Sequence, residues 1–153
     1  ISELLRASKL WENQMALVIV GTGPLEEIVK KASIENNGIK YMGSLTQDQL
    51  PLYYSASDLL IVPSIHQECF GRVILEGLAC GTPVVGANIG ALPDAIDDSV
   101  GRLIKITPEN IADAIDYLYC NKQELNQLAK NARKFAEKRY SERNAQVIIK
   151  SLK

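Results

Sequence analysis

Two glutamates, Glu68 and Glu76, stand in the one part of the chain where residue types and their order combine into usable chemistry. The stretch from Leu59 to Val85 reads as a buried strand at Leu59–Val62 and a polar loop holding Glu68 and Phe70-Gly71. A helix from Arg72 to Ala79, a small-residue turn and a second apolar strand follow. In open α/β folds ligands bind at such strand-to-helix crossings, because the first turn of a helix presents backbone N–H groups without intrahelical acceptors. Those N–H groups attract anions, and ionised carboxylates nearby accept hydrogen bonds from vicinal hydroxyls. The combination suits a ligand that carries phosphate and many hydroxyl groups.

The separation of the two glutamates carries no weight by itself, since Glu27 and Glu35 share it and read as ordinary surface residues. Context separates the pairs. Gly71 permits close backbone approach. Glu76 lies among Val73, Ile74, Leu75, Leu78 and Ala79, where a carboxylate is costly unless donors reach it. On these residues alone two readings stand: ligand hydroxyls serve as the donors, or Glu68 caps the helix and Glu76 occupies a solvated edge.

Other candidates are weaker. Gly21-Thr22-Gly23-Pro24 is a turn that could cradle phosphate, but Glu26 stands where the dinucleotide fingerprint has its third glycine. A ligand-free tight turn explains it equally well. His66, the single histidine, reads as an exposed loop residue without partners for a metal. Cys69 and Cys80 lack a neighbouring base and read as structural. Arg72, in the first helical turn, either contacts phosphate or faces solvent. Lys130, Arg133, Lys134, Lys138 and Arg139 read as the solvated face of a long helix.

The elements that must position these residues alternate along the chain. Helical patterns cover Glu3–Asn13, Leu25–Asn36, a segment opened by a Thr46/Gln49 capping box, Arg72–Ala79, Glu109–Cys120 after Thr107-Pro108, Gln123–Lys138 and Glu142–Leu152. Strands are expected at Ala16–Val20, Ile39–Met42, Leu59–Val62, Pro83–Ala87 and Gly101–Ile104. Apolar strands without alternation imply helices on both faces, hence a doubly wound parallel sheet of α/β class forming one domain over residues 1–153. A net charge of −1 argues against a nucleic-acid surface, and three cysteines without a pairing pattern argue for a reducing, cytoplasmic setting. No apolar run approaches the about 18 residues of a membrane span. Opening on Ile1 and directly in a helical pattern, the chain reads as a fragment of a longer protein.

Taken together these segments resemble the C-terminal, donor-binding domain of retaining glycosyltransferases of family 4, which have the Rossmann-like, two-domain GT-B fold. The matching pieces are Val18–Leu25, Tyr41–Leu45, Ala56–Ser64 and above all Glu68–Gly71 through Glu76 and Ala79–Val85, a Glu-x7-Glu signature in its full surroundings. Gly101–Ile104 and Arg139–Ser141 match more loosely. The resemblance implies that Glu68, as the catalytic-site residue, accepts hydrogen bonds from hydroxyls of a donor sugar, and that Glu76 holds ribose hydroxyls. Backbone N–H groups from Phe70 and Gly71 through Arg72 to Val73 would bind a diphosphate. Ser44 and Leu45 would line the base pocket, with Gly21 and Gly23 along the same cleft. It also implies no metal and no other cofactor, consistent with the lack of an Asp-x-Asp pair. Retention would proceed through same-face attack with a diphosphate oxygen as base.

The partners so implied are a nucleotide diphosphate sugar, an N-terminal acceptor domain of the same parent, and an acceptor sugar or lipid-linked glycan. Such a parent would serve polysaccharide or glycolipid synthesis, in the cytoplasm or peripheral to a membrane. An upstream strand, central to the sheet, and a loop with an Arg and a Lys would precede this chain, which by itself would be catalytically silent. Two departures stand out: the usual Gly-Gly-x-Pro-Glu turn reads Gly90-Ala91-Leu92-Pro93-Asp94, and Glu142 replaces an aromatic. A sugar-nucleotide epimerase of the same shape and a non-catalytic interaction module remain the alternatives.

Overall fold

The computed structural model describes residues 1–11, 13–66 and 71–141. The expected helix at 142–152 therefore lies outside the described residues, as do Glu68, Cys69 and Phe70. Helices and strands alternate: α1 (Ser2–Ala7), β1 (Leu17–Ile19), α2 (Glu26–Glu35), β2 (Ile39–Tyr41), α3 (Leu50–Ala56), β3 (Leu60–Val62) and α4 (Arg72–Ala79). Then follow β4 (Val84–Ala87), the short α5 (Leu92–Ala95), β5 (Gly101–Ile104), α6 (Pro108–Cys120) and α7 (Lys122–Tyr140).

All strand pairs are parallel. Leu17 of β1 stands opposite Ile39 of β2, Leu60 of β3 opposite Val84 of β4, and Val84 opposite Gly101 of β5. Parallel neighbours require crossovers, which α2, α4 and α5 supply. The expected sheet takes the form of two ladders, β1-β2 and β3-β4-β5. The family resemblance implies a further strand central to the sheet, and among the described residues no ladder closes the break between the two. Side chains bridge it. Leu17, Ile19 and Ile39 form one cluster with Leu4 and Leu5 of α1, Val29 of α2 and Ile111 and Ile115 of α6, and Leu59 and Ile61 pack against that cluster. A second core joins Val62, Val84 and Ala87 to Ile74 and Leu78 of α4 and to Ala132 and Ala136 of α7.

Helix cover is unequal. β4 is buried along its whole length, as a continuous apolar run predicts. β1 instead alternates, with Leu17 and Ile19 buried and Val18 41% exposed, because α1, α2 and α6 cover one face of this pair. Local signals are met in part. Thr107 caps α6 as expected, its hydroxyl accepting from the Asn110 N–H at 3.2 Å. The Thr46/Gln49 box forms by half: the Gln49 side chain accepts from the Thr46 N–H, but the helix starts only at Leu50. Pro51, which fits a first turn and lacks an N–H, sets that later start. α1 closes at Ala7 rather than Asn13, since the Ser8 hydroxyl donates to the Leu5 carbonyl and Lys9 and Leu10 make tighter turn bonds.

Candidate functional site

At the carboxyl end of β3 the chain enters α4 through Gly71, whose φ of 61° and ψ of 46° are left-handed. A Cβ on Gly71 would stand 3.0 Å from Cδ2 of Leu92 and 3.1 Å from Cδ1 of Ile74. Conformation and space thus both call for glycine. Being glycine, this N-cap has no side chain to offer the first-turn N–H groups of Arg72 and Val73, both exposed residues. The helix start thereby keeps the anion-attracting end that the sequence suggests.

α4 is amphipathic. Ile74, Gly77 and Leu78 face the core, while Val73 and Glu76 share the outer side. The Glu76 side chain is 37% exposed, so the expectation of a carboxylate hemmed in by apolar neighbours is corrected: of those neighbours Ile74 and Leu78 point into the core, while Val73 and Ala79 are themselves exposed. It has protein donors as well. The Tyr54 hydroxyl, from α3, donates to Oε2 of Glu76 at 3.0 Å. Arg72 approaches Oε1 from one turn back at 3.5 Å, with its own side chain 73% exposed. Burial, and next the hydrogen bond to Glu76, push the Tyr54 phenol well above the usual tyrosine range, so it stays a donor. The Tyr54 carbonyl in turn accepts from the buried Thr82 hydroxyl at 2.6 Å. Tyr54 was not among the sequence candidates. Only its place in a helix that crosses over between strands could have pointed to a carboxylate on the next helix.

The other expected site segments meet each other. Gly21, at φ 119°, donates its N–H to the carbonyl of Gly43, at φ 63°, over 2.7 Å. The Tyr41 hydroxyl donates to the Gly21 carbonyl at 3.0 Å. Burial and the Glu26 carboxylate push that phenol up, while Lys30 holds Glu26 below the usual carboxylate range. The Gly21–Gly23 turn and the Ser44–Leu45 segment are therefore fastened side by side beyond β1 and β2, with Ser44 exposed and Leu45 half-buried. Both groups of site residues stand at carboxyl ends of parallel strands, where open α/β sheets bind ligands.

The weaker candidates keep their modest roles. His66 is exposed, Cys80 and Cys120 are free thiols, and Lys130, Arg133, Lys134, Lys138 and Arg139 are all exposed along α7. Among the described residues no helix is long and apolar enough to cross a membrane.

Comparison with known proteins places this geometry. The pattern of the family described as Glycosyl transferases group 1 matches residues 1–135. A D-inositol 3-phosphate glycosyltransferase of Frankia alni is 36% identical over 128 residues, covering 76% of this chain and 31% of that protein. An uncharacterised glycosyltransferase of Methanocaldococcus jannaschii is 30% identical over 148 residues, covering 92% of this chain and 38% of its own length. The chain thus spans well under half of these relatives. Among solved structures, Anabaena HepE in complex with UDP superposes on 99% of this chain and 44% of its own, with a TM-score of 0.86 and 26% identity. The C-terminal domain of the group 1 protein LpcC from Francisella tularensis covers 92% of this chain and 78% of its own, with a TM-score of 0.74 and 28% identity. The Rossmann-like fold of a GT-B half is accordingly the fold observed, and the chain belongs to the group 1 glycosyl transferases.

Proposed function

We propose that this chain is the donor-binding half of a retaining sugar transferase that takes its sugar from a nucleotide diphosphate. The observation that carries the reading is the start of α4 at left-handed Gly71, an N-cap with no side chain to offer, in a fold that matches HepE in complex with UDP and with UDP-glucose. Backbone N–H groups of Phe70, Gly71, Arg72 and Val73, with the Arg72 guanidinium, take the diphosphate, whose charge grows as the glycosidic bond breaks. Glu68 accepts from hydroxyls of the donor sugar and Glu76 from the ribose. Gly21, Gly23, Ser44 and Leu45 line the nucleoside end. The chemistry invokes no metal, since amide dipoles and a guanidinium meet the leaving group.

An acceptor domain of the same parent presents an acceptor sugar or lipid-linked glycan to the donor, in the service of polysaccharide or glycolipid synthesis at the cytoplasmic side. Retention follows if the acceptor attacks the face the diphosphate leaves, with a diphosphate oxygen taking its proton. Calorimetric titration of the chain with UDP, GDP and ADP tests the reading. One of the three binds, and Glu76→Ala weakens it about tenfold. Absence of binding by all three, or an unchanged affinity in Glu76→Ala, would overturn it.

A further inference from the structure

A Glu76 that takes ribose hydroxyls must keep its carboxylate pointed at them. A glutamate has three rotatable side-chain bonds, and this one is more than a third exposed, so its carboxylate is free to swing unless something fixes it. Arg72 is a poor anchor: its contact is long, its side chain is mostly exposed, and exposed ion pairs along a helix contribute little. The Tyr54 phenol is a better one. Its ring is rigid, its hydroxyl meets Oε2 at 3.0 Å, and its own carbonyl is pinned by Thr82, which is 1% exposed. The Thr82 N–H also donates to the Gly77 carbonyl at 2.9 Å. Thr82 therefore holds α3 and the end of α4 in one frame, and the Tyr54–Glu76 bond spans that frame.

We infer that Tyr54 is a positioning residue, whose hydroxyl holds the Glu76 carboxylate in the orientation that receives the ribose hydroxyls of the donor. This rests on the assignment of Glu76 to the ribose. One oxygen of a carboxylate offers two lone pairs, so Oε2 can receive Tyr54 and still share a ligand hydroxyl, while Oε1 is held, among the described residues, by the exposed Arg72. Arg72 is then free to leave Glu76 for the diphosphate without loosening the carboxylate. The division of labour gives each donor a separate duty: the phenol orients and the guanidinium neutralises.

The test uses the full chain, with whichever of UDP, GDP and ADP binds it most tightly, and the 2′,3′-dideoxy form of that nucleotide. Tyr54→Phe removes one oxygen and keeps the ring. It weakens the ribonucleotide about 3- to 10-fold and leaves the dideoxy form unchanged. In the Glu76→Ala background Tyr54→Phe has no further effect, because the group it positions is gone. If Glu76→Ala weakens binding but Tyr54→Phe does not, or if Tyr54→Phe weakens both nucleotides alike, the positioning role is overturned while the reading of Glu76 stands. If Glu76→Ala changes nothing, or no nucleotide binds, that reading falls and the inference with it. A second measurement does not depend on the variant folding. In wild-type chain with 13C at tyrosine Cζ, the ribonucleotide moves the Tyr54 resonance and the dideoxy form leaves it in place. Equal shifts overturn the inference.

Discussion

Gly101 of β5 lies so close to Val84 of β4 that a Cβ on it would stand 2.2 Å from the Val84 carbonyl oxygen and 2.9 Å from Cγ2 of Ile96. The obstacle is backbone on a strand buried along its whole length, which cannot rotate away as the end of a side chain can. Gly101→Ala is therefore expected to destabilise the domain by about 1–3 kcal/mol through overpacking. Gly23→Ala is the contrasting case, with no atom within 4 Å of the added Cβ, and should stay within about 0.5 kcal/mol. Urea midpoints of the two variants decide it; equal midpoints would show that the β4–β5 pair relaxes to admit a methyl group.

Gly71 and Gly81 stand at opposite ends of α4, both with positive φ. An alanine at either one meets the left-handed penalty of about 1–2 kcal/mol. They should differ in binding. Gly71→Ala also meets the tips of Leu92 and Ile74, two fully buried side chains with little room to give, so the first turn of α4 is expected to shift and nucleotide affinity to fall with stability. Around Gly81 there is open space, and Gly81→Ala should cost stability alone. Thermal melts paired with calorimetry separate the outcomes, and a Gly81→Ala affinity loss matching that of Gly71→Ala would detach the helix start from binding.

Much of this architecture was legible in the sequence because local chemistry and tertiary packing agree. Arg72–Ala79 and Gly101–Ile104 form over the expected residues, since their apolar patterns match the faces they bury. The ends were less legible. Asn13 and Thr46 look like natural helix boundaries, yet Ser8 and Pro51 set the actual ones, through a side-chain bond to the helix carbonyls and a missing N–H. The division of the sheet could not be read from β1, whose run Leu17-Val18-Ile19 looks like any strand covered on both faces. Of the site, the Gly71 turn was legible from residue type. Tyr54 was not, because a phenol's partner on another helix leaves no mark on local sequence.

The two capping signals offer a direct comparison. Thr107 accepts the Asn110 N–H, so Thr107→Ala should cost about 1 kcal/mol. The Thr46 hydroxyl donates to Gln49 Oε1 instead of accepting from the helix, so Thr46→Ala should cost only a few tenths of a kcal/mol, about the range of a surface substitution. Chemical denaturation of both variants checks the ordering, and a reversal would mean that the turn before α3 contributes more than its exposed position suggests.

The Tyr54 phenol also makes a prediction in pH. Burial and the bond to Glu76 raise its pKa in the folded chain, so above pH about 10 an unfolded tyrosine gives up its proton while Tyr54 keeps it. The unfolded state then binds fewer protons, and stability must fall as pH rises. The contribution is complete below pH about 10 and fades as pH climbs toward the folded pKa. Tyr54→Phe cannot ionise, and it lacks the hydrogen bond at every pH. It should therefore be less stable than wild type at pH 8, with the gap narrowing by pH 11. Tyr41 and Tyr117 are raised as well and remain in both proteins, so they cancel from the difference. Urea midpoints of the two proteins at pH 8 and pH 11 read this directly, and a gap that stays constant or widens would mean that the folded phenol ionises as readily as a free one.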